Sequence, residues 1–293
     1  MLCKFVMKEK IQNHNITKMI EDKILIKEIL PYLSMSKDSE LDLLETVKAC
    51  FYRLKTGCQW REIPVKQFIS RAGTTWNTLY YHFNKWCKNG SWLKAYAALL
   101  KKYQRYLDMS CVNLDGSHSK VFTACQSAAY NGRNRYRSTN LLFLVDNQGV
   151  ILCCSMPVSG EHHDLYEITT HFDEILEMLE QAGLSLKYIF MNADAGFDST
   201  EFRTYLEGKD IIANIDFNKR KSKDTSNREE YFDEILYKER KNCEHSFAWM
   251  DAYKALLIRY DKLDITWLAM NLMGMMSIFI KKYQPQIIAN CDI

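Results

Sequence analysis

The sequence is poor in the residues that mark several large classes of protein. Its 293 residues include four prolines and eleven glycines, too few for long disordered linkers. Its ten cysteines (positions 3, 50, 58, 87, 111, 125, 153, 154, 243 and 291) include no C-x-x-C pair. Scattered cysteines in a large chain without a secretory signal read as free thiols of a reducing compartment, not as a disulfide framework. The opening MLCKFVMKEKIQNHN carries charge inside its apolar part and makes a poor signal peptide, so a cytoplasmic protein is expected. The most apolar late run, ITWLAMNLMGMMSIFI (265–280), is shorter than the roughly 20 residues that span a bilayer. It ends in Lys281-Lys282 and is expected to be a core helix, with no membrane partner. A net charge of +3 names no partner, and 47% hydrophobic with 26% charged residues is ordinary for a folded chain of one large or two smaller domains.

A further absence is local. Between Ile63 and Leu107 there is no Asp or Glu, while eight basic residues occur: Lys66, Arg71, Lys85, Lys88, Lys94, Lys101, Lys102 and Arg105. Tyr, Trp and Phe are interleaved with them. Lys and Arg neutralise phosphates and release counterions, so a basic, aromatic-rich segment in a weakly charged chain suits nucleic-acid binding. Arg71, Lys85 and Lys88 are the candidates for DNA contact. Helices are expected over 22–34, over 40–56 with Ser39 or Asp38 as cap, and over 75–88. The last two flank a Gly/Pro turn region, as in a helix-turn-helix variant. The alternative is an acid-poor surface over an aromatic-rich helical core.

From about residue 110 strands and helices alternate. CVNLDG (111–116) reads as a short strand ending in Asp115-Gly116, and 139–159 as a hairpin. A helix is expected over 164–183, opened by Asp164 with Glu167 three later and closed by Gly183. The strand 186–193 runs into Asp194, and Asp198 with Glu201 three later is expected to cap the next helix. A strand over 210–215, a charged loop over 216–230, a long helix from 237 to 260 and a last helix from 265 to 283 complete the pattern.

Two strands are therefore expected to end in an Asp followed by or close to Gly, Asp115 and Asp194. Such carboxylates either cap turns or hold a hard divalent cation, and strand ends are where open α/β sheets build sites. Glu244 is a third acid, and Tyr237, Arg240 and Glu244 share one face of the expected helix. An Arg one turn from a Glu is also an ordinary ion pair. With 36 Asp and Glu in the chain, spacing alone does not choose between these readings.

Tyr237-x-x-Arg240-x-x-x-Glu244 resembles the Y-x2-R-x3-E signature of DDE transposases from bacterial insertion sequences. ERKNCEHSFAWMDAYKALLIRYDK (239–262), LDGSHSK, LFLVDNQGVILCCSMPVSGEHHD, NADAGFDS and the earlier GCQWREIP…TTWNTLYYHFNKWCKNGSW are similar to blocks of the insertion-sequence-five group, within the wider insertion-sequence-four-like superfamily. They come in that group's order over about residues 40–265. The chain departs from the pattern where Asn192 replaces an apolar residue, Phe197 replaces Tyr, and Asp251 stands where the wider signature has Lys. Lys254 and Arg259, further along the expected helix, are the substitute cations.

The resemblance implies an α/β, ribonuclease-H-like catalytic domain over 109–293 and an all-α, helix-turn-helix-like DNA-end-binding region over 1–108. It implies Asp115, Asp194 and Glu244 as catalytic metal ligands for Mg²⁺ or Mn²⁺, two ions in all. Arg240 and Tyr237 would lie against DNA. The implied partners are double-stranded DNA, as terminal inverted repeats and as target, and a homodimer or higher multimer on it. The implied reaction is metal-dependent phosphodiester cleavage followed by strand transfer. A DNA endonuclease without strand transfer and a catalytically silent DNA-binding relic are the rival expectations. His118 and Asp164 are secondary candidates near the metals, the latter otherwise a helix cap. KRKSK (219–223) is a possible backbone contact or a solvated loop. Trp249 is read as a core residue before a base-stacking one, and the Met-rich last helix as core or dimer face.

Overall fold

A computed structural model describes residues 20–35, 39–218 and 232–291; KRKSK lies outside them. The helical part comprises α1 (Asp22–Ile24, continued by a π turn and a 3₁₀ turn to Tyr32), α2 (Leu43–Thr56), α3 (Val65–Phe68), α4 (Trp76–Lys88) and α5 (Ser91–Tyr103). The cap of α2 is Asp42, whose carboxylate accepts the Glu45 N–H at 2.9 Å. Ser39 stands too early for that role, and Asp38 lies outside the described residues.

The sheet is built from β1 (Cys111–Val121), β2 (Ala129–Asn131), β3 (Tyr136–Asp146), β4 (Ile151–Cys154), β5 (Val158–Ser159), β6 (Phe190–Ala193) and β7 (Ile212–Ile215). Helix α6 (Ile168–Gln181) precedes β6, and α7 (Thr200–Gly208) joins β6 to β7. The long β3 runs antiparallel to β1, with β2, β5 and β4 along its other edge. β6 pairs parallel with β1, and β7 parallel with β6. Antiparallel β4-β3-β1 followed by parallel β6 and β7, with a helix in each crossover, is the ribonuclease-H-like arrangement.

The chain ends with α8 (Glu234–Tyr237), a 3₁₀ turn (Lys238–Arg240), α9 (Lys241–Met250), α10 (Lys254–Leu257), β8 (Ile258–Arg259), α11 (Asp264–Lys282) and α12 (Gln284–Cys291). The apolar run becomes α11, which buries residues all round, as an all-apolar helix must. Among the described residues no helix is long and apolar enough to cross a membrane. One hydrophobic core joins α2, α4, α5, the sheet and α11. Across it the buried Arg53 of α2 donates to Asp261 at 3.1 Å.

Four local expectations are corrected. β1 does not stop at Asp115 but continues to Val121, because β3 pairs with it as far as Lys120. Helix α6 begins at Ile168, not Asp164, and Glu167 before it has φ +46°, outside the helical range. The expected 237–260 helix breaks after Met250. There Tyr253 turns extended and buries its ring, and Lys254 is brought against Gly57, where a Cβ would lie 2.9 Å from the Lys254 carbonyl carbon. Finally, α7 is capped by Ser199, whose hydroxyl accepts the Phe202 N–H at 3.1 Å. Asp198 is buried and paired instead with Arg203 Nε at 3.0 Å.

The last pair separates two stability effects. Ser199→Ala should cost about 1 kcal/mol, an ordinary cap loss. Asp198→Ala should cost about 3–5 kcal/mol, because it removes the buried carboxylate ion-paired with the Arg203 guanidinium. Urea unfolding of the two variants gives that order; equal costs would mean that the Asp198–Arg203 pair contributes no more than a cap.

Candidate active site

Parallel pairing sets Leu114 beside Ala193 and Ala193 beside Ile215. The next residues, Asp115, Asp194 and Asp216, thus stand at adjoining strand positions, each about 5 Å of sheet from the next. Each follows an Asn by two residues, in NLD, NAD and NID, so each Asn and its Asp share a face of the sheet.

Asp115 is largely buried. Its Oδ1 accepts the Gly116 N–H at 2.9 Å, and its Oδ2 accepts from Arg240 Nη1 at 2.9 Å. Burial pushes its carboxyl up to about 6; the Arg240 guanidinium opposes the rise and the neighbouring Asp194 charge adds to it. Asp194 follows β6 and caps a 3₁₀ turn, accepting the Gly196 N–H at 2.7 Å. Glycine is required next to it: a Cβ on residue 196 would stand 2.7 Å from Asp194 Oδ1. The Tyr237 ring lies 5.9 Å from the Arg240 guanidinium. Its hydroxyl is pushed up by burial, with Arg240 opposing and the charges of Asp216 and Asp194 adding. Asp115, Asp194, Arg240 and Tyr237 are thus brought together.

Glu244 is exposed on α9. The thiol of Cys243, pushed up chiefly by burial, is within reach of the charges of Asp115, Arg240 and Glu244. Among the described residues no three acids, histidines or cysteines are grouped closely enough to hold a metal ion. The two strand carboxylates nevertheless suit a hard divalent cation. They are all-oxygen donors, one is buried, and their mutual repulsion is offset here by a guanidinium.

Other predicted residues fall elsewhere. Gly116 and His118 alternate with Asp115 along β1 and so lie on the other face of the sheet. Asp164 is on that face too: a Cβ on Gly116 would stand 2.6 Å from its Oδ1, which accepts from Asn140 Nδ2 at 2.9 Å. His118 Nδ1 is 3.2 Å from the Ser138 hydroxyl, and burial lowers the ring's basicity. The expectation that these two lie near the metals is therefore corrected. Arg259 is also withdrawn as a DNA contact. It is fully buried, donating to Asp264 at 2.6 Å, Thr139 at 3.0 Å and the Asp261 carbonyl at 3.0 Å. Lys254 is exposed, but on α10 and not on the Glu244 helix. Arg71 is exposed and paired with Glu40; Lys88 is exposed and Lys85 half-buried on α4. Trp249, expected in the core, is 42% exposed, with Lys282 Nζ 5.7 Å from its ring.

Sequence reasoning passed over Asp216 and the asparagines of β1 and β7. The thrice-repeated Asn-x-Asp at strand ends was the available signal.

Two families match the chain. Residues 25–95 match one described as "Putative transposase of IS4/5 family", and residues 106–279 match one described as "Transposase DDE domain". No curated protein matches the chain significantly. Among solved structures it is similar to "Mos1 transposase paired-end complex with left transposon end", with 12% identity over 88% of this chain and 82% of that one and a TM-score of 0.27. It is likewise similar to "Crystal structure of the Mos1 mariner paired end complex with Mn", with 10% identity over 85% and 81% and a TM-score of 0.27. Scores this low leave the family matches as the stronger finding.

The raised carboxyl of Asp115 has a measurable consequence. Its ordinary value is 3.8 and its folded value about 6, so between these the folded chain keeps a proton that the unfolded chain has released. Stability therefore falls as pH rises through that window, and the full cost stands above it. Asp115→Asn should raise stability above about pH 6 by up to roughly 3 kcal/mol, and the gain should vanish below about pH 4. Denaturant midpoints across pH test this; a gain that does not depend on pH would remove Asp115 as its source.

Proposed function

The chain belongs to the DDE transposases of the IS4/5 type, and from that premise we propose that Asp115 and Asp194 are its metal ligands, with Glu244 as third acid. It is a metal-dependent polynucleotidyl transferase that carries out DNA transposition by phosphodiester cleavage and strand transfer. The observation that carries the residue assignment is the pair of carboxylates at adjoining positions where the parallel β1–β6 pairing ends, with Arg240 bonded to one of them.

The cation is Mg²⁺ or Mn²⁺, with a second ion of the same kind. Bound at these carboxylates, it supplies charge neutralisation at the phosphate and a lowered pKa for the attacking water or 3′-hydroxyl. The rest is done by side chains of this chain. Asp115 and Asp194 are each held by a backbone N–H group, so little ordering is left for the reactive complex. Arg240 has the planar fork that binds a carboxylate or a phosphate equally well. It pairs with Asp115 in the free protein and turns to a DNA phosphate in the complex. Tyr237 lines the same groove. Glu244, exposed on α9, joins the acids only once DNA and metal are present.

The segment before residue 109 is the DNA-end-binding region, with Lys85, Lys88 and Arg71 against phosphates and Lys254 extending the basic surface. The DNA is double-stranded: the terminal inverted repeats of the element, then its target. A homodimer or larger multimer holds both ends, in a bacterial cytoplasm.

The test uses a duplex carrying the inverted repeat that flanks the reading frame, with Mg²⁺ or Mn²⁺. Asp194→Ala should lower cleavage by about a thousandfold or more, the loss of several kcal/mol at the transition state, with DNA affinity close to wild type. Glu244→Gln should act the same way. Undiminished cleavage in either variant would remove that acid from the assignment. Precleaved ends should be joined to a target plasmid by the wild type; cleavage without joining would mark a nuclease, and binding without either would mark a silent relic.

A further inference from the structure

Behind the acids, three buried amides cross the sheet in line. Asn113, Asn192 and Asn214 face one another in the parallel register, and all three are fully buried. Asn192 Nδ2 donates to Asn113 Oδ1 at 2.9 Å, and Asn214 Nδ2 donates to Asn192 Oδ1 at 2.7 Å. Apolar side chains would suit such strand centres at less desolvation cost. Even here one donor, Asn113 Nδ2, has no partner among the described residues.

Apart from a long contact of Asn192 Nδ2 with Cys111 Sγ at 3.7 Å, the ladder's remaining bonds go to one segment. Asn214 grips the main chain of Asp233 twice: its Nδ2 donates to the Asp233 carbonyl at 3.1 Å, and its Oδ1 accepts the Asp233 N–H at 2.8 Å. Asn192 Nδ2 also donates to the Leu236 carbonyl at 3.0 Å. Asp233 in turn caps α8, accepting the N–H groups of Ile235 and Leu236, both at 2.9 Å. The next residue is Tyr237, and Arg240, three further on, reaches Asp115. Each amide stands two residues before an acid on the same strand and face. The ladder therefore ties α8, which leads directly into the 3₁₀ turn carrying the guanidinium, to the strands that lead into the carboxylates.

We propose that Asn113, Asn192 and Asn214 are positioning residues for phosphodiester cleavage: an amide ladder that docks α8 and so holds Tyr237 and Arg240 over Asp115 and Asp194. None of the three touches the reacting atoms. They act through the placement of α8, and a misplacement of about 1 Å can cost a hundredfold in rate. The inference rests on the transposase reading of the site.

The test is single-turnover cleavage of prebound repeat duplex by Asn192→Leu, alone and combined with Arg240→Ala. Asn192→Leu should slow cleavage by about ten- to a hundredfold with DNA affinity within about twofold of wild type. In the Arg240→Ala background the same substitution should cost little more, because its effect runs through that arginine. Backbone hydrogen exchange over 233–240 should rise at least about tenfold while β1 and β6 stay protected. A wild-type rate, a full additive loss in the Arg240→Ala background, or unchanged exchange over 233–240 would each overturn the ladder. If Asn192→Leu does not fold, Asn113→Leu decides by the same three readouts, since it removes the far rung together with the orphaned amide. Exchange is read without DNA or metal. Failure of the wild type to cleave would therefore sink the transposase reading of the site and leave the ladder's hold on α8 to be judged on its own.

Discussion

Two carboxylates one strand spacing apart repel each other, and burying one of them sharpens the repulsion. Asp115 and Asp194 are in that position because β1 and β6 are parallel neighbours that carry them at the same level. An antiparallel pair would send successive strand ends to opposite edges of the sheet. The parallel pairing therefore creates the site and its electrostatic problem together. The problem has two solutions, a guanidinium or a divalent cation. In the free protein the guanidinium of Arg240 fills the first role. A site poised between these two solutions suits an enzyme that has to meet DNA phosphates before it reacts.

The cation that offsets the repulsion comes from 125 positions along the chain, after a separate crossover. Such a contact needs the returning helix to be fixed in translation as well as in direction. Apolar packing is poor at fixing translation, since a helix can slide along a greasy face at little cost. Directional hydrogen bonds to the Asp233 and Leu236 main chain fix it well. Glu244 lies beyond the last of these bonds, on the exposed face of α9, whose Asn242, Cys243 and Ser246 are buried.

Much of this is legible in the sequence, and the failures have physical causes. Asp115 and Asp194 stand out because apolar runs lead into them and glycines follow. The starts of α6 and α7 mislead because Asp164 and Asp198 each precede a Glu by three residues, the pattern of a capping box. Tertiary partners, Asn140 for one and Arg203 for the other, take those carboxylates instead. The helix expected over 237–260 is too long because its apolar spacing survives the turn at Asp251–Tyr253. The turn is fixed by tertiary contacts, the burial of Tyr253 and the approach of Lys254 to Gly57, which joins residues almost two hundred apart. Arg259 looks like a surface cation because sequence cannot show that Thr139 and Asp264 enclose it. The asparagines show in the sequence only as a repeated Asn-x-Asp, because a buried amide takes its meaning from the amide on the next strand.

The continuous core bears on how binding can serve chemistry. The basic helices are not beads on a linker. α2 is tied to the segment after β8 by Arg53 and Asp261, and α4 and α5 pack with α11 behind the sheet. A DNA end held on Lys85 and Lys88 would meet the carboxylates at an orientation that the fold has already set. Binding energy gained at that surface then need not be used to orient the scissile phosphate, and more of it is left to stabilise the transition state. Two domains on a flexible tether would lose that advantage, because each encounter would have to find the geometry again. The buried Arg53–Asp261 pair makes sense on the same ground. It adds little to stability compared with apolar packing, yet it fixes how α2 sits against the catalytic half.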